Sequence, residues 1–254
     1  MPLFSANLGF LWTDLALPDA IRAARAAGFD AVECHWPYDT PPEEVNAALS
    51  ETGLAMLGLN TRRGDVKAGE NGLSALPGRE MDARVAIDEA ISYACATGMA
   101  NIHAMAGFAS GARAHEVFVS NLAYACEQAA AHAITILIEP LNHYDAPGYF
   151  LNTTTQATSI IEQVGAANLK LMFDCYHVQL MEGDLTNRLK HLQTIIGHIQ
   201  FASVPDRGSP DHGEVNYSHV FEVISALGYD APLGAEYKPV GPTEDTLGWL
   251  KAFA

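Results

Sequence analysis

Basic residues are scarce in this chain. Fourteen Lys and Arg stand against 30 Asp and Glu among 254 residues, a formal charge of −16 with histidine neutral. Such a surface repels polyphosphate, and a nucleic acid would need a local basic groove that the scattered Lys and Arg positions do not supply. Cysteine is sparse too. Cys34, Cys95, Cys126 and Cys175 lie far apart without a C-x-x-C pair, which indicates neither a zinc knuckle nor a disulfide framework and suits a reducing cytoplasm. Nowhere do 18 apolar residues run together, and the first residues carry no basic segment ahead of an apolar one. The expectation is a soluble cytoplasmic protein with no membrane partner and no cleaved leader. Also missing are a G-x-G-x-x-G turn after any early apolar run, a Pro/Ser-rich linker and any repeat beyond a strand and a helix. These absences argue against a dinucleotide fold and against a division into domains.

What the chain does have is a steady alternation of short apolar runs and longer amphipathic stretches, the pattern of strands buried on both faces by crossover helices. At 49% hydrophobic and 17% charged, a chain of this length can bury roughly 70% of its unfolded surface. Eight strand candidates are read at 3–10, 31–36, 55–60, 101–107, 135–141, 169–175, 195–203 and 232–237. Helix candidates follow them at 18–28, 42–52, 80–98, 112–132, 154–164, 181–192, 216–227 and 243–253. Stop signals such as Gly28-Phe29-Asp30 and Gly228-Tyr229-Asp230 end helices just before the next strand. Eight β-then-α units in about 250 residues match a closed α/β (β/α)8 TIM barrel, expected as one domain over residues 1–254. Two connections, 61–79 and 204–216, are longer than a barrel requires and rich in Gly, Pro and charge. Loops of that length are usually functional or mobile, though variable surface decoration is the plainer reading.

In such a barrel the site lies at the C-terminal ends of the strands, so a polar residue closing an apolar run marks it. Four successive runs carry one: Ile-Leu-Ile-Glu139, Leu-Met-Phe-Asp174, Gly-His-Ile-Gln200 and Leu-Gly-Ala-Glu236. Any one of these alone would be explained by an arginine partner or a helix cap. An unpaired buried carboxylate is very unfavourable, however, and four such groups at corresponding positions call for a cation among them. Three carboxylates and one amide oxygen, with no cysteine, form a hard-ligand set that suits Mg²⁺ or Mn²⁺, or Co²⁺, better than zinc.

The neighbours of these four admit two readings each. His177, three residues past Asp174, falls in the loop or first helical turn above the barrel mouth; it donates to a substrate oxygen or shuttles a proton, or else simply starts a helix. Arg207, in the loop after strand seven, holds a substrate carboxylate or forms a surface pair with Asp206 or Asp211. Lys238 is a second cation at the rim. Asn7, Glu33, Asn60 and His103, on the first four strands, line the pocket or are satisfied core groups. Cys175 reads as packing, turned by strand alternation away from the barrel axis. The loop from Thr61 to Arg79 reads as a lid over bound substrate, with Gly64, Gly69, Gly72 and Gly78 allowing its movement.

Several stretches resemble a known family. Phe4-Ser-Ala-Asn-Leu, Gly72-Leu-Ser-Ala-Leu-Pro-Gly-Arg-Glu80, His103-Ala-Met-Ala-Gly107, Pro205-Asp-Arg, Asp211-His-Gly-Glu-Val-Asn-Tyr217 and Glu236-Tyr-Lys-Pro239 are similar to the hydroxypyruvate isomerase family of the xylose-isomerase-like barrels. The resemblance spans essentially the whole chain. It implies a metal held by Glu139, Asp174, Gln200 and Glu236, with the two glutamates as the acid/base pair. It also implies relatives that act as 2-oxo-tetronate isomerases. More distant members include ketose 3-epimerases, which carry histidine in place of Gln200, and endonuclease IV, which needs further histidines for a multi-zinc cluster. Arg62-Arg63 and Gly208-Ser-Pro-Asp-His212 depart from the usual isomerase pattern where a substrate tail would be recognised.

The implied reaction is aldose-ketose isomerisation of a small 2-oxo/hydroxy acid, most simply hydroxypyruvate to tartronate semialdehyde. One glutamate removes the proton between two metal-chelating oxygens, a metal-stabilised enediolate forms, and a carboxylate returns a proton to the neighbouring carbon. Either glutamate can be the base, and no redox cofactor is needed. The alternatives are a 2-oxo-tetronate isomerase or a ketose 3-epimerase on the same ligands, or a barrel that only binds a sugar acid or a metal. Abasic-site DNA cleavage is disfavoured by charge and by the oxygen-rich ligands. The acidic surface neither requires nor forbids a homo-oligomer.

Overall fold

The computed structural model describes residues 2–253. Nine strands pair in parallel in the order β3-β2-β1-β9-β8-β7-β6-β5-β4: β1 (Phe4–Asn7), β2 (Ala31–Glu33), β3 (Ala55–Met56), β4 (Gly58–Asn60), β5 (Asn101–His103), β6 (Thr135–Ile138), β7 (Leu169–Asp174), β8 (Ile196–Phe201) and β9 (Leu233–Ala235). The two strands at the ends of that order are halves of one expected strand. Ala55 and Met56 follow β2, whereas Gly58 to Asn60 follow β5. Leu57 joins them, donating its N–H to Val32 O at 2.7 Å and accepting from Asn101 N at 3.1 Å. The ring therefore closes, and the expected (β/α)8 barrel is the one observed. Its third strand is split because it serves two neighbours in turn.

Helices α1 (Leu17–Ala27), α2 (Pro42–Thr52), α3 (Glu80–Thr97), α4 (Gly111–Ala130), α5 (Thr154–Val164), α6 (Cys175–Met181), α7 (Leu185–Leu192), α8 (Tyr217–Ala226) and α9 (Gly248–Phe253) form the outer layer. Among the described residues none is long and apolar enough to cross a membrane. After β7 the chain departs from expectation. Asp174 both ends the strand and caps a helix, its carboxylate accepting from Tyr176 N at 2.8 Å, so α6 begins at once and precedes the expected helix. Cys175 is thus the first residue of α6 rather than an outward strand residue. It is nonetheless fully buried in the core, as its reading as packing required.

Strand alternation sorts the side chains into two layers. Asn7, Glu33, Gln200 and Glu236 meet inside the barrel. Phe4 and Phe201, on the opposite faces of β1 and β8, meet Phe221 of α8 and Trp249 of α9, with ring centroids 5.0–5.8 Å apart. This aromatic cluster fastens the last two helices to the barrel.

The 61–79 loop is only partly free. Gly72 forms an antiparallel bridge with Ala106, Ser74 and Ala75 donate to Met105 O and Ala106 O, and Leu73, Ser74 and Ala75 are buried. A Cβ on Gly72 would lie 2.7 Å from Met105 O, so this glycine permits close backbone approach and is not a hinge. The exposed residues of this connection are Arg62, Gly64 to Gly69, Pro77 and Gly78.

Truncating Phe201→Ala removes a ring shared by β8, α8 and α9 and is expected to cost about 3–5 kcal/mol. Urea unfolding checks this: the midpoint should fall with the slope unchanged.

Candidate active site

Each of the four expected residues stands at the C-terminal end of its strand. Asp174 ends β7 opposite Gln200 of β8, Gln200 pairs in register with Gly234 of β9, and Glu139 and Glu236 follow β6 and β9. All four are buried. Glu139, Asp174, Glu236 and His177 offer ligand atoms within 4.8 Å of one another, near enough to surround one metal ion. The Gln200 amide reaches the same place, with Nε2 3.4 Å from Glu236 Oε1. Among the described residues, Glu139 Oε1, Asp174 Oδ2 and Gln200 Oε1 are buried without a hydrogen-bond partner. Three orphaned oxygens on three of the four residues are what a hard divalent cation requires, and the donor set fits it.

His177 sits in the first turn of α6, its Nε2 3.6 Å from Asp174 Oδ2 and 3.9 Å from Glu139 Oε1. Proximity alone would make it a ligand. Its other nitrogen argues otherwise, because Asn142 N–H donates to Nδ1 at 3.0 Å. Burial, aided by Arg207, holds this imidazole neutral, its pKa lowered to about 3. A neutral ring that accepts at Nδ1 carries its proton on Nε2. Nε2 is then a donor aimed into the cluster rather than a ligand.

Arg207 is not the surface residue of the bland alternative. It is buried, with Nη2 2.6 Å from Glu236 Oε2 and 3.6 Å from Asp174 Oδ2, and Nη1 3.2 Å from Asp145 Oδ2. Its backbone lies at φ +57°, a strained value for a non-glycine residue. Ser203 O accepts from its N–H, and Lys238 N–H donates to its carbonyl at 2.7 Å. Ser203 Oγ accepts from Gly208 N and is tied to Asp206. The strain is thus held by the loop, and its result is a guanidinium turned inward.

These charges set the protonation of the carboxyls. Burial raises Asp174 to about 8, with Glu236 adding to the effect. Burial likewise raises Glu139 well above the usual range, reinforced by Glu236 and Asp174. In Glu236 burial is outweighed by Arg207 and by the hydrogen bond from His35, and its carboxyl falls to about 2.

His103 joins the site, its Nδ1 3.5 Å from Glu139 Oε2. Burial lowers it to about 4, so the ring is neutral. Asn60 pairs with His103 in register and lines, with it, Asn7, Glu33, His35 and Gln200, a small cavity inside the barrel. Lys238 is not brought in. Its side chain is exposed, and among the described residues it enters no ion pair with the cluster; only its backbone contributes. Sequence reasoning missed three residues. His35 Nε2 lies 3.1 Å from Glu236 Oε1, Asp145 accepts from Tyr176 OH and Arg207, and His198 Nε2 lies 2.6 Å from Glu33 Oε2. His198 could have been found, being two residues before Gln200 and so on the same strand face. Asp145 lies in a loop and carries no such signal.

Comparison with known proteins agrees with this architecture. Residues 21–253 match the family model described as xylose isomerase-like TIM barrel. The chain belongs to that family. A 2-oxo-tetronate isomerase of Cupriavidus necator is 48% identical over 100% of this chain and 99% of its own. A hydroxypyruvate isomerase of Escherichia coli is 40% identical over 98% of each. A Brucella melitensis crystal structure titled AP endonuclease, family 2, superposes with a TM-score of 0.96 at 38% identity, over 100% of this chain and 99% of that one. The xylose isomerase-like fold and the resemblance to hydroxypyruvate isomerases are thus both borne out.

The raised carboxyls make metal binding compete with protons. Adding Mn²⁺ to metal-free protein in weak buffer near pH 7 is expected to release protons, and the apparent affinity to rise between about pH 6 and pH 8. Calorimetry in buffers of different ionisation enthalpy measures both; an affinity flat across that range would contradict the raised Asp174 and Glu139.

Proposed function

We propose that this protein is a metal-dependent isomerase of small 2-oxo/hydroxy acids. Relatives across the whole chain are named hydroxypyruvate isomerase and 2-oxo-tetronate isomerase, which supports an isomerase of this substrate class. The observation that carries the reading is the set of orphaned oxygens on Glu139, Asp174 and Gln200 beside Glu236. These four residues would hold one divalent ion, Mg²⁺, Mn²⁺ or Co²⁺. When bound, the ion would polarise the substrate carbonyl and acidify the neighbouring C–H.

The rest of the chemistry belongs to side chains. Glu139 and Glu236 stand three strands apart around the barrel; one removes the proton at one carbon, and the same or the other carboxylate delivers it at the next. His177, with its proton on Nε2, donates to a substrate oxygen. Arg207 Nε is buried without a partner among the described residues and receives the substrate carboxylate while Nη2 keeps Glu236 ionised. His103 and Asn60 line the approach, and the exposed part of the 61–71 segment limits access of water. Its own arginines are engaged: Arg62 pairs with Glu89 and stacks on Tyr38, and Arg63 stacks on Trp36 with its guanidinium carbon 4.0 Å from the ring centroid. Free cysteines suit a cytoplasmic setting.

Hydroxypyruvate is the substrate we assign first, with a 2-oxo-tetronate as the longer alternative. The endonuclease title of the Brucella structure does not transfer readily. This site is rich in oxygen ligands with an arginine among them, and the chain carries −16 charges.

Turnover measured on hydroxypyruvate, 2-oxo-tetronates and ketohexoses, with Mg²⁺, Mn²⁺ and Co²⁺ supplied separately, tests the reading; no metal-dependent turnover of any 2-oxo acid would end it. Glu139→Gln and Glu236→Gln are each expected to lower kcat by about 10²–10⁴-fold with the fold intact by circular dichroism. Arg207→Ala should raise KM, since carboxylate binding is common to ground and transition states. An unchanged KM would remove it from substrate binding.

A further inference from the structure

Glu33 is buried inside the barrel and belongs to no step described above. Its Oε1 accepts from Gln200 Nε2 at 2.8 Å and from Asn7 Nδ2 at 3.0 Å, and its Oε2 lies 2.6 Å from His198 Nε2. Asn7 Nδ2 also donates to Glu236 Oε1 at 2.8 Å, and Asn7 Oδ1 accepts from Gly9 N. A carboxylate offers acceptors only, so each amide must turn its NH₂ end toward it. For Gln200 that leaves the oxygen pointing the other way, at the position where it is buried and unpartnered.

We infer that Glu33 is a positioning residue for the metal centre: by capturing the NH₂ of Gln200, which also reaches Glu236 Oε1 at 3.4 Å, it decides that the amide's oxygen, not its nitrogen, is the end left without a partner for a cation. This rests on the metal-dependent reading above. A freely turning amide would present NH₂ part of the time and repel a cation, whereas one locked by a buried acceptor is a permanent oxygen ligand. His198 holds the other carboxylate oxygen of Glu33, and the fit is close. A Cβ on Gly234 would lie 2.5 Å from Glu33 Oε1 and 2.8 Å from Gln200 Cγ. In Leu233-Gly234-Ala235-Glu236 the glycine thus leaves room for the pair that orients the ligand beside it, much as outer partners orient metal ligands elsewhere.

Mn²⁺ titration of the full-length protein by calorimetry and electron paramagnetic resonance tests this without relying on turnover. Glu33→Met, similar in length but lacking an acceptor, is expected to weaken Mn²⁺ binding about 10–100-fold. Gln200→Glu reverses sign with background. Beside an intact Glu33 it sets two carboxylates together and weakens binding. Combined with Glu33→Met it restores affinity, because a carboxylate shows oxygen whichever way it turns. A merely structural role for Glu33 would not be repaired by changing residue 200. Wild-type affinity in Glu33→Met, or a double variant no better than that single one, would overturn the inference. Should Glu33→Met fail to fold, Gly234→Ala, which removes no polar group, is expected to weaken Mn²⁺ binding too, and wild-type affinity there would overturn it. Wild-type protein that binds no Mn²⁺ would overturn the metal reading as well, and so is distinguishable from failure of the inference alone.

Discussion

Three carboxylates buried within a few ångströms of one another repel, and water is not there to screen them. Much of the barrel's C-terminal end answers that repulsion. From one side Arg207 is driven inward from a strained backbone and reaches Glu236, Asp174 and Asp145. From the barrel interior, Asn7 and His35 donate to or lie against Glu236. Asp174 spends one oxygen on the first turn of α6. What these partners leave without a hydrogen bond is Glu139 Oε1, Asp174 Oδ2 and Gln200 Oε1, and it is this remainder that could hold a cation.

The two layers of the barrel share this arrangement. Because strand residues alternate, each strand that ends in a site residue also sends an apolar neighbour outward. Gln200 and Phe201 are the clearest pair, one beneath the cluster and the other in the aromatic contact with α8 and α9. A register slip of one residue on β8 would expose the ring to the polar interior and bury the amide among aromatics. The apolar outer layer therefore fixes the geometry of the polar inner one, and the site is carried on rigid strand ends rather than on loops.

His35, Arg207, Asp145 and the 61–71 segment come from loops, and His35 is tethered by Asn60 N–H, which donates to its carbonyl at 2.8 Å. Lys238 and Ser203 hold the Arg207 carbonyl and N–H, Tyr176 and Arg207 hold Asp145, and the Gly72–Ala106 bridge holds the far end of the 61–79 connection. The longest exposed part of that connection is the turn from Gly64 to Gly69.

The barrel and the placement of four candidate residues at its strand ends were legible in one dimension, because they depend on local order. Alternating apolar runs specify strands covered on both faces, and a polar residue at the end of such a run must face the mouth. Asn7, Glu33 and His103 were visible as inward candidates but not assignable, since whether a buried polar group is a working part depends on partners far away in the chain, as Glu33 with His198 and Gln200 shows. The split at Leu57, the helix that starts at Cys175, the burial of Arg207 and the exclusion of the Lys238 side chain were settled only by folding. Each turns on long-range hydrogen bonds, caps or loop strain, and none of these leaves a periodic trace in sequence. Residue order therefore determined which groups reach the barrel mouth; tertiary contact decided which of them are buried together, which polar atoms are left without a partner, and that Arg207 rather than Lys238 stands among the acids.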